Sequence, residues 1–368
     1  MRNEKKAGQV IPFPMSRPSK VLQFQTFEEE GQAFGCFFEP DTQEWRQATD
    51  RFNDLLDGPG CDQLTYADFE RECRSILNDQ SFFLDAYAHI AMNYLPPHPL
   101  NDIKTAAKWY RKGFKQGMAL IPDGFLGRIE WSSLSNRPFL RVHHGLILCA
   151  LRQKKDKEAI ALMEQHLAWN PNDNIGVRYL LGEAYLRKNK TVEARQILEA
   201  NAAHDGYPPS IYSLALLEFS EGRAIQALTW LRHGIAENPY IAEALNGRIE
   251  LAPHVWWHGS NFNGPDVVEN YLEDAQELWQ EAPFALSFLD WAFNFSNGLR
   301  ERADFVEVNE ALAREHDFDV RGQWIERKRA LQRVITDGSS LEWLKGVKDN
   351  NLSYPWERGN RSPRRRGG

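Results

Sequence analysis

Apolar residues recur along most of the chain at intervals of three and four positions, the spacing that puts them on one face of an α-helix. Trp45, Phe52 and Leu56 follow this spacing in one early segment, and Gly58 and Pro59 end it. The alternation of apolar and polar residues that predicts a half-buried strand persists nowhere. The pattern therefore predicts an all-α protein with almost no sheet.

A seven-residue motif with alanine at its third position occurs three times between residues 157 and 231. Its alanines, Ala159, Ala194 and Ala227, are 35 and 33 residues apart. A small residue that recurs at this interval indicates paired helices that cross closely, because the crossing helix can approach only where the side chain is short. The motif therefore predicts three helical hairpins over residues 140–240.

On these residues, segment 140–240 resembles the tetratricopeptide repeat (TPR) superfamily, which has a period of about 34 residues. Pro171 and Pro239 are 68 residues apart, twice that period, and each follows the second helix of a predicted hairpin. Gly182 and Leu198 match the small and large positions of the middle repeat. The resemblance implies an α-solenoid of TPR-like hairpins whose role is to bind another polypeptide.

The remaining chain divides by composition. Residues 81–120 are expected to form a degenerate TPR-like hairpin. A solenoid also needs a terminal unit with a polar outer face, and the C-terminal helices are expected to supply it. Further helices are expected at 266–281, 283–297, 300–315 and 320–336, and a loop at 253–265. The expected organisation is a flexible N-terminal arm (1–35), an N-terminal helical region (36–120), a connector (121–139), three TPR-like repeats (140–240), a C-terminal helical capping region (241–350) and a basic disordered tail (351–368).

The resemblance also implies a binding groove, because in TPR arrays the first helix of each repeat lines one and repeat positions 2, 5, 9 and 12 point into it. An aromatic and aliphatic groove suits an amphipathic helix or an apolar segment of a partner protein. Occupation of the groove by the chain's own C-terminal helices or N-terminal arm is an open alternative. The implied groove residues are Arg141, His144, Leu148, Tyr179, Glu183, Leu186, Tyr212, Leu216 and Phe219.

Charge and cysteine content limit the class of partner and the cellular compartment that we expect. The net charge of −7 argues against nucleic acid as the partner, although five arginines between residues 358 and 366 would allow weak phosphate contacts. The longest apolar run, residues 146–151, is too short to span a membrane. Four scattered cysteines predict reduced thiols, and with no secretory signal in residues 1–18 we expect a cytoplasmic protein. Homo-oligomerisation stays open.

The search for catalytic or metal-binding residues gives no assignment. His254 and His258 are four residues apart, but Pro253 and Gly259 frame them as a loop, and no third ligand is evident. Adjacent histidines such as His143 and His144 diverge on a helix. No glycine-rich phosphate motif or nucleophile elbow is present. We therefore expect no metal, no cofactor and no enzymatic activity.

Three functional hypotheses follow. The first is an adaptor or scaffold that holds a partner polypeptide in the groove. The second is an accessory or regulatory subunit of a larger assembly, in which the helices serve as a packing surface. The third is an enzyme with a site at 253–265, around His254, Trp257 and His258. An open groove would favour the first hypothesis, and a groove filled by the chain itself would favour the second.

Overall fold

A computed structural model of the chain describes residues 20–247, 264–345, 347 and 354–357. The chain forms two compact units, residues 1–175 and 176–368. The described part is helical apart from one two-stranded sheet in the first unit, which confirms the predicted all-α solenoid class.

The first unit opens with a β-hairpin, β1 (Gln23–Glu29) and β2 (Gln32–Phe38). Its two-residue turn has positive φ at both Glu30 (51°) and Gly31 (78°), the backbone that matches the twist of paired strands. The antiparallel register pairs Phe24 with Phe37, whose ring is buried. The flexible arm expected over 1–35 is therefore wrong from Gln23 onward, because the cross-strand pair Phe24 and Phe37 packs the hairpin against the apolar core of the first unit. Residues 1–19 lie outside the described residues.

In the described residues of the first unit, six α-helices follow the hairpin, and polar side chains cap the start of several of them. Thr42 accepts a hydrogen bond from the backbone N–H of Trp45, and Asp102 accepts from Lys104 and Thr105 at the start of the fourth helix. The helices are α1 (Gln43–Asp57), α2 (Tyr66–Asp79), α3 (Leu84–Met92), α4 (Ile103–Met118), α5 (Arg137–Arg152) and α6 (Asp156–Trp169).

The segment between α4 and α5 is ordered by main-chain contacts with β2. Gly35 donates to the carbonyl of Arg128 at 2.7 Å, and Arg128 donates to the carbonyl of Ala33 at 2.9 Å. Ile129 in this segment is fully buried. The connector expected at 121–139 therefore packs into the first unit, and its last three residues already belong to α5.

The second unit continues the hairpin pattern and then adds further helices. Ala194, Ala227, Leu198 and Leu231 have no exposed surface, as expected of the small and large positions at helix crossings. The helices are α7 (Arg178–Arg187), α8 (Thr191–Asp205), α9 (Pro208–Ser220), α10 (Ala224–Glu237), α11 (Pro239–Leu245), α12 (Asp266–Glu281), α13 (Ala285–Asn294), α14 (Ser296–Arg314), α15 (Phe318–Arg333) and α16 (Asp337–Lys345).

The end of the chain departs from the expected basic tail. Residues 354–357 include a short 3-10 turn, and the ring of Trp356 is buried against Phe288 and Trp291 at centroid distances of 5.0 and 4.8 Å. The disordered tail expected over 351–368 is therefore wrong at these positions, because Trp356 belongs to the apolar core of the second unit. The arginines at 358–366 lie outside the described residues.

Candidate functional site

In the first unit the expected groove begins at Arg141 on α5. Its Nε and Nη2 atoms donate to the two carboxylate oxygens of Asp85 on α3 at 2.9 and 2.7 Å. The guanidinium also lies 5.9 Å from the centre of the Trp131 ring. Arg141 therefore ties α5 to α3, and the carboxylate of Asp85 compensates its charge.

His144 and Leu148 follow Arg141 on the same face of α5, three and seven residues later. Both are half-buried, and Leu148 packs against the apolar core of the first unit. Burial is the main cause that lowers the pKa of His144 to about 4, so its ring is neutral near pH 7. Beyond Arg141, this stripe consists of a neutral ring and an aliphatic side chain, both half-buried.

The adjacent His143 faces the interior instead. Its Nδ1 atom lies 3.2 Å from Nδ1 of His166 on α6, and the two rings stack at 5.3 Å. Phe114 and Trp169 each lie 5.1 Å from the His143 ring. Burial lowers the pKa of both histidines, so one neutral ring donates to the other. Across the described residues, no group of three or more His, Cys, Asp or Glu side chains is arranged to hold a metal ion.

In the second unit several expected groove residues are core residues. Tyr212 is 0% exposed, and its hydroxyl donates to the carbonyl of Asn238 at 2.8 Å. Gly234 on α10 leaves room for the Tyr212 ring, since a Cβ there would lie 3.0 Å from it. Leu216 is buried in the same cluster. The prediction of an open groove at Tyr212 and Leu216 is therefore wrong, because both side chains pack inside the second unit.

The helix α12 covers the surface that α7, α9 and α11 form, which we call the first-helix face. It contacts all three of these helices. Its buried side chains are Val268, Tyr271, Ala275 and Trp279, which form one helical stripe. Trp279 is only 1% exposed. The chain thus places its own amphipathic helix on the first-helix face.

A line of hydrogen bonds crosses from α12 into this face. The indole N–H of Trp279 donates to the hydroxyl of Tyr271 at 2.8 Å, and that hydroxyl lies 3.3 Å from the hydroxyl of Ser213 on α9. Ser213 donates to Glu183 on α7 at 2.6 Å. While the carboxyl of Glu183 is ionised, the single proton of the Ser213 hydroxyl is donated to it, and Tyr271 is then the donor in its contact with Ser213.

Glu183 ends this line and is an expected groove residue that is buried, with 2% of its surface exposed. Desolvation raises the pKa of its carboxyl to about 7, and the hydrogen bond from Ser213 opposes that effect. Glu183 is therefore closed to a partner while α12 is in position. Its protonation state changes near neutral pH.

Polar contacts also hold α12 at its start and near its middle. The amide of Asn238, which caps α11, donates to the carbonyl of Gly264 at 2.9 Å. Arg187 on α7 donates to the carbonyl of Asp274 at 2.7 Å, and its guanidinium lies 4.0 Å from the carboxylate of Asp274. These contacts fix both the position and the direction of α12.

The other expected groove residues of the second unit are half-buried. Tyr179 packs against Tyr207 at a centroid distance of 4.3 Å, and Leu186 lies near the end of α7. Phe219 stacks on Phe288 of α13 at 4.5 Å. The segment of the enzyme hypothesis, with His254, Trp257 and His258, lies outside the described residues.

Comparison with known proteins agrees with the hairpin geometry. A family model described as tetratricopeptide repeat matches residues 150–216, which run from the end of α5 to α9. Residues 150–216 therefore contain TPR-type repeat sequence. No curated protein matches the sequence. In the described part of the chain, no helix has both the length and the apolar character needed to cross a membrane.

The TPR-type repeats indicate which surface of the second unit α12 covers. In TPR arrays the first helices of successive hairpins line the binding surface, and within residues 150–216 the helices α7 and α9 begin such hairpins. Sequence reasoning treated 266–281 as part of a cap and missed Ser213, Tyr271 and Trp279 as contacts. The apolar stripe of α12 was a signal for a buried helix, although its target could not be read from spacing alone.

Proposed function

We propose that this protein is a scaffold for protein–protein interaction that holds a partner polypeptide against the first helices of its hairpins. TPR modules are generally non-catalytic binding modules, and the repeat match supports this class. The observation that carries the proposal is the seating of α12. A surface that accepts one amphipathic helix along its length has the apolar pockets and polar anchors that helix recognition requires.

An accessory or regulatory subunit of a larger assembly is the second candidate. The filled first-helix face of the second unit favours it, because Glu183, Tyr212 and Leu216 are closed to a free peptide there. In this case partner contacts would use other exposed helix surfaces. In both candidates the partner is a protein, and the residues that a partner contacts differ.

The partner surface proposed in the first unit is the α5 stripe of Arg141, His144 and Leu148. The test is affinity capture from native extract with the full chain, comparing the wild type with Arg141→Ala/Leu148→Ala. A matched control is Lys157→Ala/Gln165→Ala, two exposed positions on the neighbouring helix α6. Circular dichroism and thermal unfolding establish that both variants are folded.

We expect the wild type and the control to retain one protein in stoichiometric amount, and the α5 variant to lose it. Truncation of interface anchors commonly weakens binding by about 2 kcal/mol, which is enough to empty a capture column. Equal retention by all three forms would move the contact away from α5 and favour the accessory-subunit candidate. No stoichiometric partner for any form would refute the scaffold proposal.

We also propose a cytoplasmic location. All four cysteines, Cys36, Cys61, Cys73 and Cys149, are free thiols. Unpaired thiols persist in reducing compartments. Cell fractionation with an antibody against the chain tests this, and recovery in a membrane or exported fraction would contradict it.

A further inference from the structure

The α12 helix has the chemistry of a ligand for the first-helix face. Its sequence has six acidic residues and no lysine or arginine, and its buried stripe contains two aromatic anchors, Tyr271 and Trp279. The face supplies a complementary cation at its edge, since Arg187 contacts Asp274. Shape, apolar stripe and charge therefore describe one kind of occupant, an acidic amphipathic helix with aromatic anchors.

The contact between α12 and the first-helix face also contains a buried carboxyl group, and ionisation of this group would weaken the contact. Glu183 is buried beneath α12, and the hydrogen bond given to its carboxyl comes from the neutral hydroxyl of Ser213. Around it lie Arg187 on its own helix, Asp274 and Tyr271 on α12, and Tyr207 before α9. Burying an acid beneath a docked helix weakens the docking whenever the acid ionises. Ionisation of Glu183 therefore favours release of α12 from the first-helix face.

The short sequence separation between α11 and α12 determines how strongly α12 competes with a separate helix for the first-helix face. α11 ends at Leu245 and α12 begins at Asp266, so the intervening segment is 246–265. A helix tied to its own site competes at an effective concentration on the order of 1 mM. A separate helix must therefore bind tightly or meet a loosened α12.

We propose that α12 is a releasable occupant of the first-helix face, and that this face binds, in exchange, a partner's acidic amphipathic helix with aromatic anchors at the spacing of Tyr271 and Trp279. The inference rests on the proposed function, since it names the partner's chemistry and the way in which the site is kept closed. A second copy of α12 is the simplest helix of this description.

The test uses the full chain and a fluorescent peptide with the sequence of residues 264–283. Trp279→Ala removes the largest anchor of α12 and leaves the first-helix face intact. The matched control is Trp324→Ala on α15, which removes another tryptophan far along the chain from α12. A peptide in which the tyrosine and the tryptophan are alanine serves as the negative ligand.

We expect Trp279→Ala to bind the peptide about tenfold or more tightly than the wild type and Trp324→Ala, because its own helix competes less well. The alanine peptide should bind none of the forms. A folded Trp279→Ala variant that does not bind the peptide would overturn the inference. It would leave the scaffold proposal standing if the wild type still retains a protein partner.

If Trp279→Ala does not fold, hydrogen exchange on the wild type tests whether α12 is releasable. A releasable α12 exchanges its amides about tenfold or more faster than α9, because it opens without global unfolding. Equal protection of α12 and α9 would show that α12 is a permanent part of the core, and the inference would fail.

Discussion

The hydroxyl of Ser213 donates a 2.6 Å hydrogen bond to the carboxyl group of Glu183, and both side chains are buried under α12. The hydroxyl of Tyr271 lies 3.3 Å from the same serine oxygen. The docking of α12 therefore includes a polar line within an apolar contact. Such a line fixes the register of a helix, and it makes the contact depend on the charge of its last member.

The Glu183→Gln variant should remove a pH dependence of stability. Burial raises the pKa of Glu183 to about 7, so the unfolded chain releases this proton at lower pH than the folded chain. Stability from this group is fully present below the unfolded pKa of about 4.5 and is lost as pH rises toward 7. The loss is on the order of 3 kcal/mol.

We therefore expect Glu183→Gln to match the wild type near pH 5 and to exceed its free energy of unfolding at pH 8, as measured by urea denaturation. Glutamine keeps an oxygen that accepts from Ser213 and carries no charge. Glu193→Gln on the exposed face of α8 is the control and should change neither value by more than about 0.5 kcal/mol. A wild type whose stability is equal at pH 5 and pH 8 would contradict this prediction.

The repeat hairpins could be predicted because their determinants are local. Small residues at a fixed period, such as Ala194 and Ala227, specify helix crossings, and both are fully buried. The β-hairpin could not be predicted so readily. Its turn, Glu30 and Gly31, is a weak sequence signal, and the strand becomes favourable only because Phe37 reaches the core formed with α5.

The site was only partly predictable, for a tertiary reason. The position in the repeat predicts which side chains of α9 point away from the other helix of the same hairpin. It does not predict whether such side chains, Tyr212 and Leu216 among them, face solvent or another helix. Their burial is decided by helices that come later in the chain, α11 to α13. No period in the sequence encodes where α12 docks. The same amphipathic stripe would serve a cap or a ligand, and only the contacts with α7, α9 and α11 distinguish them.

The buried pair His143 and His166 should make the first unit sensitive to acid. Burial lowers the pKa of His166 to about 4, and that of His143 falls well below its usual value. The unfolded chain binds these protons below about pH 6.5, so stability is full above that pH and is lost as pH falls toward 4. For His166 alone the loss is on the order of 3 kcal/mol.

The measurement is urea unfolding of the wild type and His166→Asn between pH 7 and pH 4. Asparagine keeps a polar group near His143 and does not titrate, so the variant should be less stable at pH 7 but should show a shallower decline toward pH 4. His316→Asn, at an exposed position before α15, is the control and should leave the decline unchanged. A slope in His166→Asn as steep as in the wild type would show that other groups cause the acid sensitivity.

The same substitution at two helical glycines should have opposite effects. A Cβ at Gly145 on α5 would lie 2.1 Å from the ring of Tyr110, whereas one at Gly322 on α15 meets nothing within 4 Å. We expect Gly145→Ala to lower the free energy of unfolding by about 1–3 kcal/mol, since the buried ring must shift. Gly322→Ala should raise it by up to about 1 kcal/mol through helix propensity. Thermal and urea unfolding measure both, and a stabilised Gly145→Ala would mean that the Tyr110 ring moves freely.

Arg232 on α10 should be the most sensitive charged residue of the second unit. It is 4% exposed, its Nε donates to a carboxylate oxygen of Glu301 at 3.1 Å, and its Nη1 donates to the hydroxyls of Ser339 and Ser340 at 2.8 and 2.9 Å. The guanidinium also lies 4.3 Å from the centre of the Trp343 ring. One side chain thus joins α10 to α14 and α16, and its loss would leave the carboxylate of Glu301 without this partner.

We expect Arg232→Ala to lower the free energy of unfolding by about 3–5 kcal/mol, the usual effect of removing one member of a buried pair. Arg232→Lys should recover only part of this, because an ammonium cannot make the forked contact with Glu301 and both serines. Arg329→Ala, on the exposed face of α15, is the control and should change stability by less than about 1 kcal/mol. If Arg232→Lys equals the wild type in urea unfolding, charge alone would explain the contact and the forked geometry would be unimportant.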